Sequence, residues 1–287
     1  MGRLIKWLSE RTISTLVLSC LYLSSVIFFH KEVSKISDWL AAKLSFKVYN
    51  HLNFLFSLVV LVVFVMFIVI KMIKGEERFL KIIYWVFTIS LVIVSYKMLV
   101  VFNVEIIHFP QYAILALPVF ALLKRFGETV FWVTLAGAMD EAYQYFFLLR
   151  NINVHFDFND IILNLIGGGI GVVWIYTLLD LKPGVFNLDG NSSRRWNKFI
   201  MGVITGCIVI GGIFLYAAGI LRFYPEANPS PPLIVLSRFP APTQFWINPN
   251  IGKSYHILHP IEGMLLSSIL IACYSLLDYG LKFRKKP

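Results

Sequence analysis

The chain has 287 residues, of which 58% are hydrophobic and only 15% charged, and its mean hydropathy is +0.74. A soluble domain of this size needs far more charge to cover its surface, so the composition excludes one and predicts a membrane protein. The formal charge of +10 raises nucleic acid as a partner, but no basic stripe with interleaved aromatics is present, and no nucleic acid is expected.

Apolar runs of about 20 residues, the length that crosses a bilayer, recur along the chain. They predict spans at 12–30, 51–73, 79–102, 111–124, 129–149, 158–180, 199–221 and 257–280. The expected fold class is all-α: a polytopic integral membrane protein with about eight transmembrane helices. The first run follows Arg3, Lys6 and Arg11, as a signal peptide would, but it ends in FFHK without a small-residue cleavage site. It is expected to stay as the first helix. The next stretch, KEVSKISDWLAAKLSFKVY, repeats Val33, Ile36, Trp39, Leu40 and Leu44 at helical spacing, which predicts an amphipathic helix on the membrane interface. The fourth run, YAILALPVFALL, is short and contains Pro118; it fits a tilted or kinked span or a re-entrant piece. Before the last span, residues 222–256 hold seven of the twelve prolines, the composition of a lid or of a loose connector.

With the N-terminus inside, alternate loops assign 17 basic residues to the inner side and 8 to the outer, and Lys97 falls within a span. That bias predicts both termini in the cytoplasm, and it accounts for the basic excess through topology and anionic lipid. Trp7, Trp39, Trp196 and Trp246 fall near span boundaries, as interfacial tryptophans do. Cys20, Cys207 and Cys273 all fall in predicted spans, with neither a disulfide framework nor a metal-ligand spacing, and are expected to be buried thiols. No metal and no cofactor is implied.

Polar residues interrupt this pattern on the predicted outer side. The stretch DEAYQYFFLLR places Asp140 and Glu141 in the outer half of the fifth span, with Gln144 a turn further out and Arg150 at its end. The chain re-enters with DFNDIILNLIGGGIG, where Asp157, Asp160 and Asn164 share a helical face. The preceding outer junction, VEIIHFPQY, supplies Glu105 and His108. Ionisable groups at membrane depth cost several kcal/mol unless paired or hydrated. Three successive junctions carrying them predict one outward-facing polar site. Interhelical hydrogen bonding is the plainer alternative, most of all for Asn164. Gly167 and Gly171 form a GxxxG pair that suits close helix packing; no lysine follows to make a phosphate loop. In SYHILHPIEG, His256, His259 and Glu262 recur every three residues, either as an interfacial group or as an extension of the polar site; no zinc signature accompanies them.

These polar motifs resemble those of the VanZ-like family of bacterial membrane proteins. The matching pieces are Glu105 before HFPQY, with His108, Phe109 and Tyr112; then DEAYQ, with Asp140, Glu141 and Gln144; then Arg150; and DIILNLIGG, with Asp160, Asn164 and Gly167. The resemblance spans roughly residues 79–180. It implies a bacterial cytoplasmic-membrane protein in which residues 79–182 form the core, flanked by a two-helix extension at 1–78 and another at 183–287. The name-giving member is associated with resistance to the glycopeptide teicoplanin.

Three functions fit these residues. The first is a modulator of the envelope surface that binds a lipid-linked cell-wall precursor or glycan head group. There Glu105, Tyr112, Gln144, Arg150, Asp160 and Asn164 would bind, with Arg150 on phosphate or carboxylate. The second is an intramembrane hydrolase or transferase with Glu141 or Asp140 as general base, His108 as acid or base and Arg150 as clamp; no activated Ser or Cys nucleophile is recognisable. The third is a lipid flippase or transporter, against which stand the absence of a second polar layer at the inner face and of an internal repeat.

Overall fold

The structure is a computed structural model that describes residues 2–73, 78–150, 154–179, 191–225, 232–250 and 252–280. Lys74, Lys182, Lys282, Arg284, Lys285 and Lys286, counted in the charge bias, lie outside the described residues, as does the side chain of Trp196. The fold is mostly helical. In chain order the helices are α1 (Gly2–Glu10), α2 (Thr12–Leu44), α3 (Phe46–Ile73), α4 (Arg78–Met98), α5 (His108–Leu123), α6 (Phe126–Tyr143), α7 (Phe158–Leu179), α8 (Asn191–Ala217) and α9 (Pro260–Gly280). Among the described residues, seven helical segments are long and apolar enough to cross a membrane. These are 12–44, 46–70, 78–98, 103–123, 158–178, 199–217 and 260–278, and α6 is not among them.

α7 is the axis of the bundle, packed against α4, α5, α6 and α9. The run GGGIG explains how one helix meets three neighbours at once. A Cβ on Gly167 would lie 2.8 Å from the Phe109 carbonyl oxygen, and one on Gly171 would lie 2.6 Å from that of Ala113, so this pair admits α5. Gly168 admits Val133 of α6, and Gly169 admits the ring of Tyr274 on α9. The large apolar side chains fill the rest of the core: Phe126, Ile162, Leu163, Leu165, Ile166, Ile175 and Tyr176 are fully buried. At one end, Asp278 of α9 accepts hydrogen bonds from Phe126 N (2.9 Å) and Gly127 N (3.0 Å), capping α6 from outside its own chain segment. Arg125 and Glu128 pair beside it at 3.5 Å. This is a polar group at the end opposite the predicted site, where hydropathy alone suggested none; its acids serve the start of α6.

Two segments differ from expectation. The amphipathic stretch after His30 does not break from the first span. α2 runs unbroken for 33 residues, about 50 Å at 1.5 Å per residue, well beyond the ~30 Å of a bilayer core. Straight-chain and apolar residues carry the helix to Leu44, and it ends only at Ser45, whose φ of 66° is left-handed. α5 is a continuous helix through Pro118, which sits buried within it. The cysteines are not buried: Cys20 and Cys207 are exposed and Cys273 is half-buried, because their helix faces point away from the core.

Residues 226–231 and 251 of the proline-rich segment lie outside the described residues; its described parts are packed rather than loose. Strand β1 (Leu221–Arg222) pairs in parallel with β2 (Ile234–Val235). Ser237 then bridges His155, and Tyr255 bridges Ile247. Backbone bonds from Lys253 N to Val101 O and from His256 N to Met98 O tie the segment to the end of α4. It forms a cap over one end of the bundle. α8, by contrast, has no buried residue among its described side chains and touches chiefly β1.

Candidate functional site

The motif residues meet at the capped end of the bundle, between α5, α6 and α7. A tight turn at Asn103–Ile107 leads into α5, and Glu105 holds that turn in place. Its carboxylate accepts from Val101 N (2.8 Å) and Phe102 N (3.1 Å). Glu105 is thus a backbone clamp at the mouth of α5. His108 follows at the first turn of α5 and Tyr112 one turn later, so both side chains point to α7 and α6.

His108 is held on both ring nitrogens. Nδ1 lies 2.8 Å from Asn164 Oδ1, and Nε2 lies 3.4 Å from Asp160 Oδ2. Both partners are on α7, one turn apart. The Tyr112 hydroxyl donates to Asp140 Oδ2 at 3.1 Å, and Gln144 Nε2 donates to Glu141 Oε1 at 3.2 Å. Gly137, one turn before Asp140, lets Asn164 approach: a Cβ there would lie 2.7 Å from Asn164 Cβ. Asp140 and Asn164 are both 0% exposed, yet Asp140 Oδ1 and Asn164 Nδ2 have no hydrogen-bond partner. A buried acceptor and a buried donor left open in one cluster is uncommon, since each costs about 1–3 kcal/mol.

Of the predicted site residues, the structure therefore joins His108, Tyr112, Asp140, Glu141, Gln144, Asp160 and Asn164. Glu105 stands at the edge, spent on the turn. Arg150 is not brought in. It is exposed at the end of the turn after α6 and makes no contact with the cluster among the described residues. The reason is local. After Tyr143 the helix widens into a π turn, Gln144–Leu148, which redirects the chain before Arg150. A different arginine occupies this corner: Arg238 of the cap donates to the carbonyls of Leu149 and of Tyr145 (2.9 Å) and lies 4.3 Å over the Tyr145 ring.

His256, His259 and Glu262 keep to local partners. Glu262 accepts from His259 N at the start of α9 and lies 3.5 Å from His256, whose ring stacks on Phe245 at 4.1 Å. No group of three or more metal-ligating side chains is found among the described residues.

Three further residues complete this end of the molecule. His30 of α2 lies close enough to interact electrostatically with Asp140, His108 and Asp160. Nothing in the apolar run before it announced that. Asp157 caps α7, accepting from Asn159 N (2.9 Å) and Asp160 N (3.2 Å), with His155 Nε2 3.6 Å away. Burial, and then repulsion from Asp160, push its carboxyl up to about 6. Asn159, passed over between two aspartates in DFND, is buried and fastens the cap. Its Nδ2 donates to Leu99 O (3.1 Å) and His256 O (2.7 Å), and its Oδ1 accepts from Leu258 N (2.9 Å).

No protein-family model, curated protein or solved structure matches this chain.

Proposed function

We propose that this chain is a VanZ-like membrane protein of the bacterial envelope that binds a lipid-linked or glycan head group in the α5–α6–α7 cluster and so modulates susceptibility to teicoplanin-type glycopeptides. The observation that carries the proposal is the convergence of the three separated motifs on two fully buried, unfilled polar atoms, Asp140 Oδ1 and Asn164 Nδ2. Packing alone does not require an open donor and an open acceptor in one cluster. A head-group hydroxyl, which both donates and accepts, matches them.

The charge of the cluster narrows the ligand. Asp140, Glu141 and Asp160 lie close enough to repel one another, and among the described residues the basic side chain in contact with them is His108. Such a site disfavours a phosphate and suits hydroxyl or amine groups. With Arg150 exposed, the phosphate of a lipid-linked precursor belongs outside the cluster. The charge bias of the loops supports an outward orientation in the cytoplasmic membrane, with both termini inside.

The enzyme alternative is less well supported. Asp140 Oδ1 is a free acceptor that a general base could use, but both His108 nitrogens are engaged and Arg150 stands outside the cluster, so the acid and the clamp of that reading are not in place.

The test is glycopeptide susceptibility of a sensitive bacterium expressing wild type, Glu141→Gln or Asp140→Asn, with membrane levels matched. Protection by wild type and its loss in both variants is the expected result. Equal protection by all three would make the carboxylates structural and refute the site. Protection by none would remove the resistance function from this chain.

A further inference from the structure

A second feature lies beside the polar cluster, under the cap. A partly open cavity of about 470 Å³ lies between the cap and the residues that lead into α7 and α9. Its floor is Val154, His155 and Phe156 on one side and Ile257, Leu258 and Pro260 on the other; aromatic and proline side chains of the cap cover it. The volume falls within the ~300–1,000 Å³ typical of small-molecule sites. We propose that this cavity holds a single hydrocarbon chain, the acyl or isoprenyl tail of a lipid.

Three observations choose that occupant. First, the lining is almost wholly apolar. Ser237 and His155 are its polar side chains apart from the tyrosines, and the Ser237 hydroxyl is already spent, donating to Phe239 O and accepting from Phe239 N. Water needs two to four polar partners each to stay in a cavity; besides Ser237 the lining offers His155 Nε2 and the hydroxyls of Tyr224 and Tyr255, too few for the several waters that would fit. A sugar would leave its hydroxyls unpaired for the same reason. Second, a partly open cavity lined by carbon leaves apolar surface in contact with water, so an apolar occupant is favoured. Third, the floor residues are those that immediately precede two helices apolar enough to cross a membrane. Lipid chains are therefore within reach, and Phe223 and Tyr224, which pack on His259, form a wall at the start of α9.

Chain binding here is independent of head-group binding in the cluster, since the two sites share no lining residue. The experiment uses the purified full chain in lipid nanodiscs with two photoreactive probes. One is a palmitic acid and the other a polyisoprenyl phosphate, each with a diazirine at the chain end. After irradiation, labelled peptides are mapped by mass spectrometry. The expected result is label on 234–242 or 255–258, about tenfold reduced by excess unlabelled chain and by Leu236→Trp or Ile257→Trp, which fill the cavity. Label from the first probe alone, the second alone or both identifies acyl, isoprenyl or unselective binding, and each supports the proposal. No label in these peptides from either probe, or label on wild type that excess unlabelled chain does not displace, overturns it. Glu141→Gln should leave the labelling unchanged, so failure of the head-group site and failure of this one are told apart.

Discussion

Asn159→Leu is expected to release the cap from the bundle. The asparagine is 3% exposed and makes three hydrogen bonds to main-chain groups of two separate segments: Leu99 at the end of α4, and His256 and Leu258 before α9. Leucine keeps the branched shape and heavy-atom count, though it is bulkier, while two carbonyls and one N–H lose their partner. Each orphaned buried group costs about 1–3 kcal/mol. The three share one side chain and do not add fully, so ~3–5 kcal/mol is the expected loss. The loss is local, because the bundle does not need the cap to bury α7. Amide exchange in 253–258 should therefore rise by at least about 100-fold, the equivalent of ~3 kcal/mol, while exchange in 162–176 stays slow. Mass-detected hydrogen exchange on the detergent-solubilised chain reads both regions together. Unchanged exchange in 253–258 would refute the role of Asn159, and equal acceleration in α7 would refute the separation of cap from bundle.

Asp157→Asn keeps a good cap on α7 and removes a charge that its surroundings disfavour. The folded carboxyl binds its proton more tightly than an unfolded one, so wild type loses stability as pH rises through the window from about 4 to about 6. The variant should melt higher than wild type at pH 7 and equally at pH 4. Lys253 runs the other way: its ammonium, donating to Tyr96 O, is lowered to about 8 by burial. The folded chain thus binds fewer protons than the unfolded one above that value, and stability should rise from pH 8 toward 10; Lys253→Met should flatten that rise in a thermal scan. Gly169→Val would drive into the Tyr274 ring, whose hydroxyl is fixed by Thr88 at 3.1 Å, at a cost of about 1–3 kcal/mol. Gly202→Ala on α8, with nothing within 4 Å, should change the melting temperature little.

What could be foreseen was set by hydropathy and by short spacing. Each apolar run corresponds to a helix, because a run such as FSLVVLVVFVMFIVI has no way to satisfy its backbone in lipid except as one. The convergence of His108, Asp140 and Asn164 also followed from three junctions at one end. What was hidden depended on geometry that period and composition do not carry. The π turn at 144–148 moved Arg150 away, and nothing in QYFFL distinguishes it from ordinary helix. His30 approaches the acids only because α2 passes them on its way to Leu44. Asn159 looked like one more polar residue at a helix start, since its partners lie 60 and 97 residues away. The proline-rich segment gave no sign of its pairing because two-residue strands have no periodicity to show.

The shortfall of α6 bears on how the chain is made. A segment leaving the ribosome is sorted into the bilayer largely by its own apolarity, and an aspartate near the middle of such a segment costs about 2.5–3.5 kcal/mol. α6 carries Glu128, Asp140 and Glu141 and is the one bundle helix that falls short of the apolarity its neighbours have. Its first acid is paired with Arg125 from the same stretch, and Asp140 meets a hydroxyl, that of Tyr112, on the helix synthesised just before. α5 is thus ready to receive α6 before α7 exists. Asn164 and Asp160 arrive last and complete the cluster as α7 slides between its predecessors. The polar centre thus draws on three consecutive helices, α5, α6 and α7, and is complete only once the last of them is made.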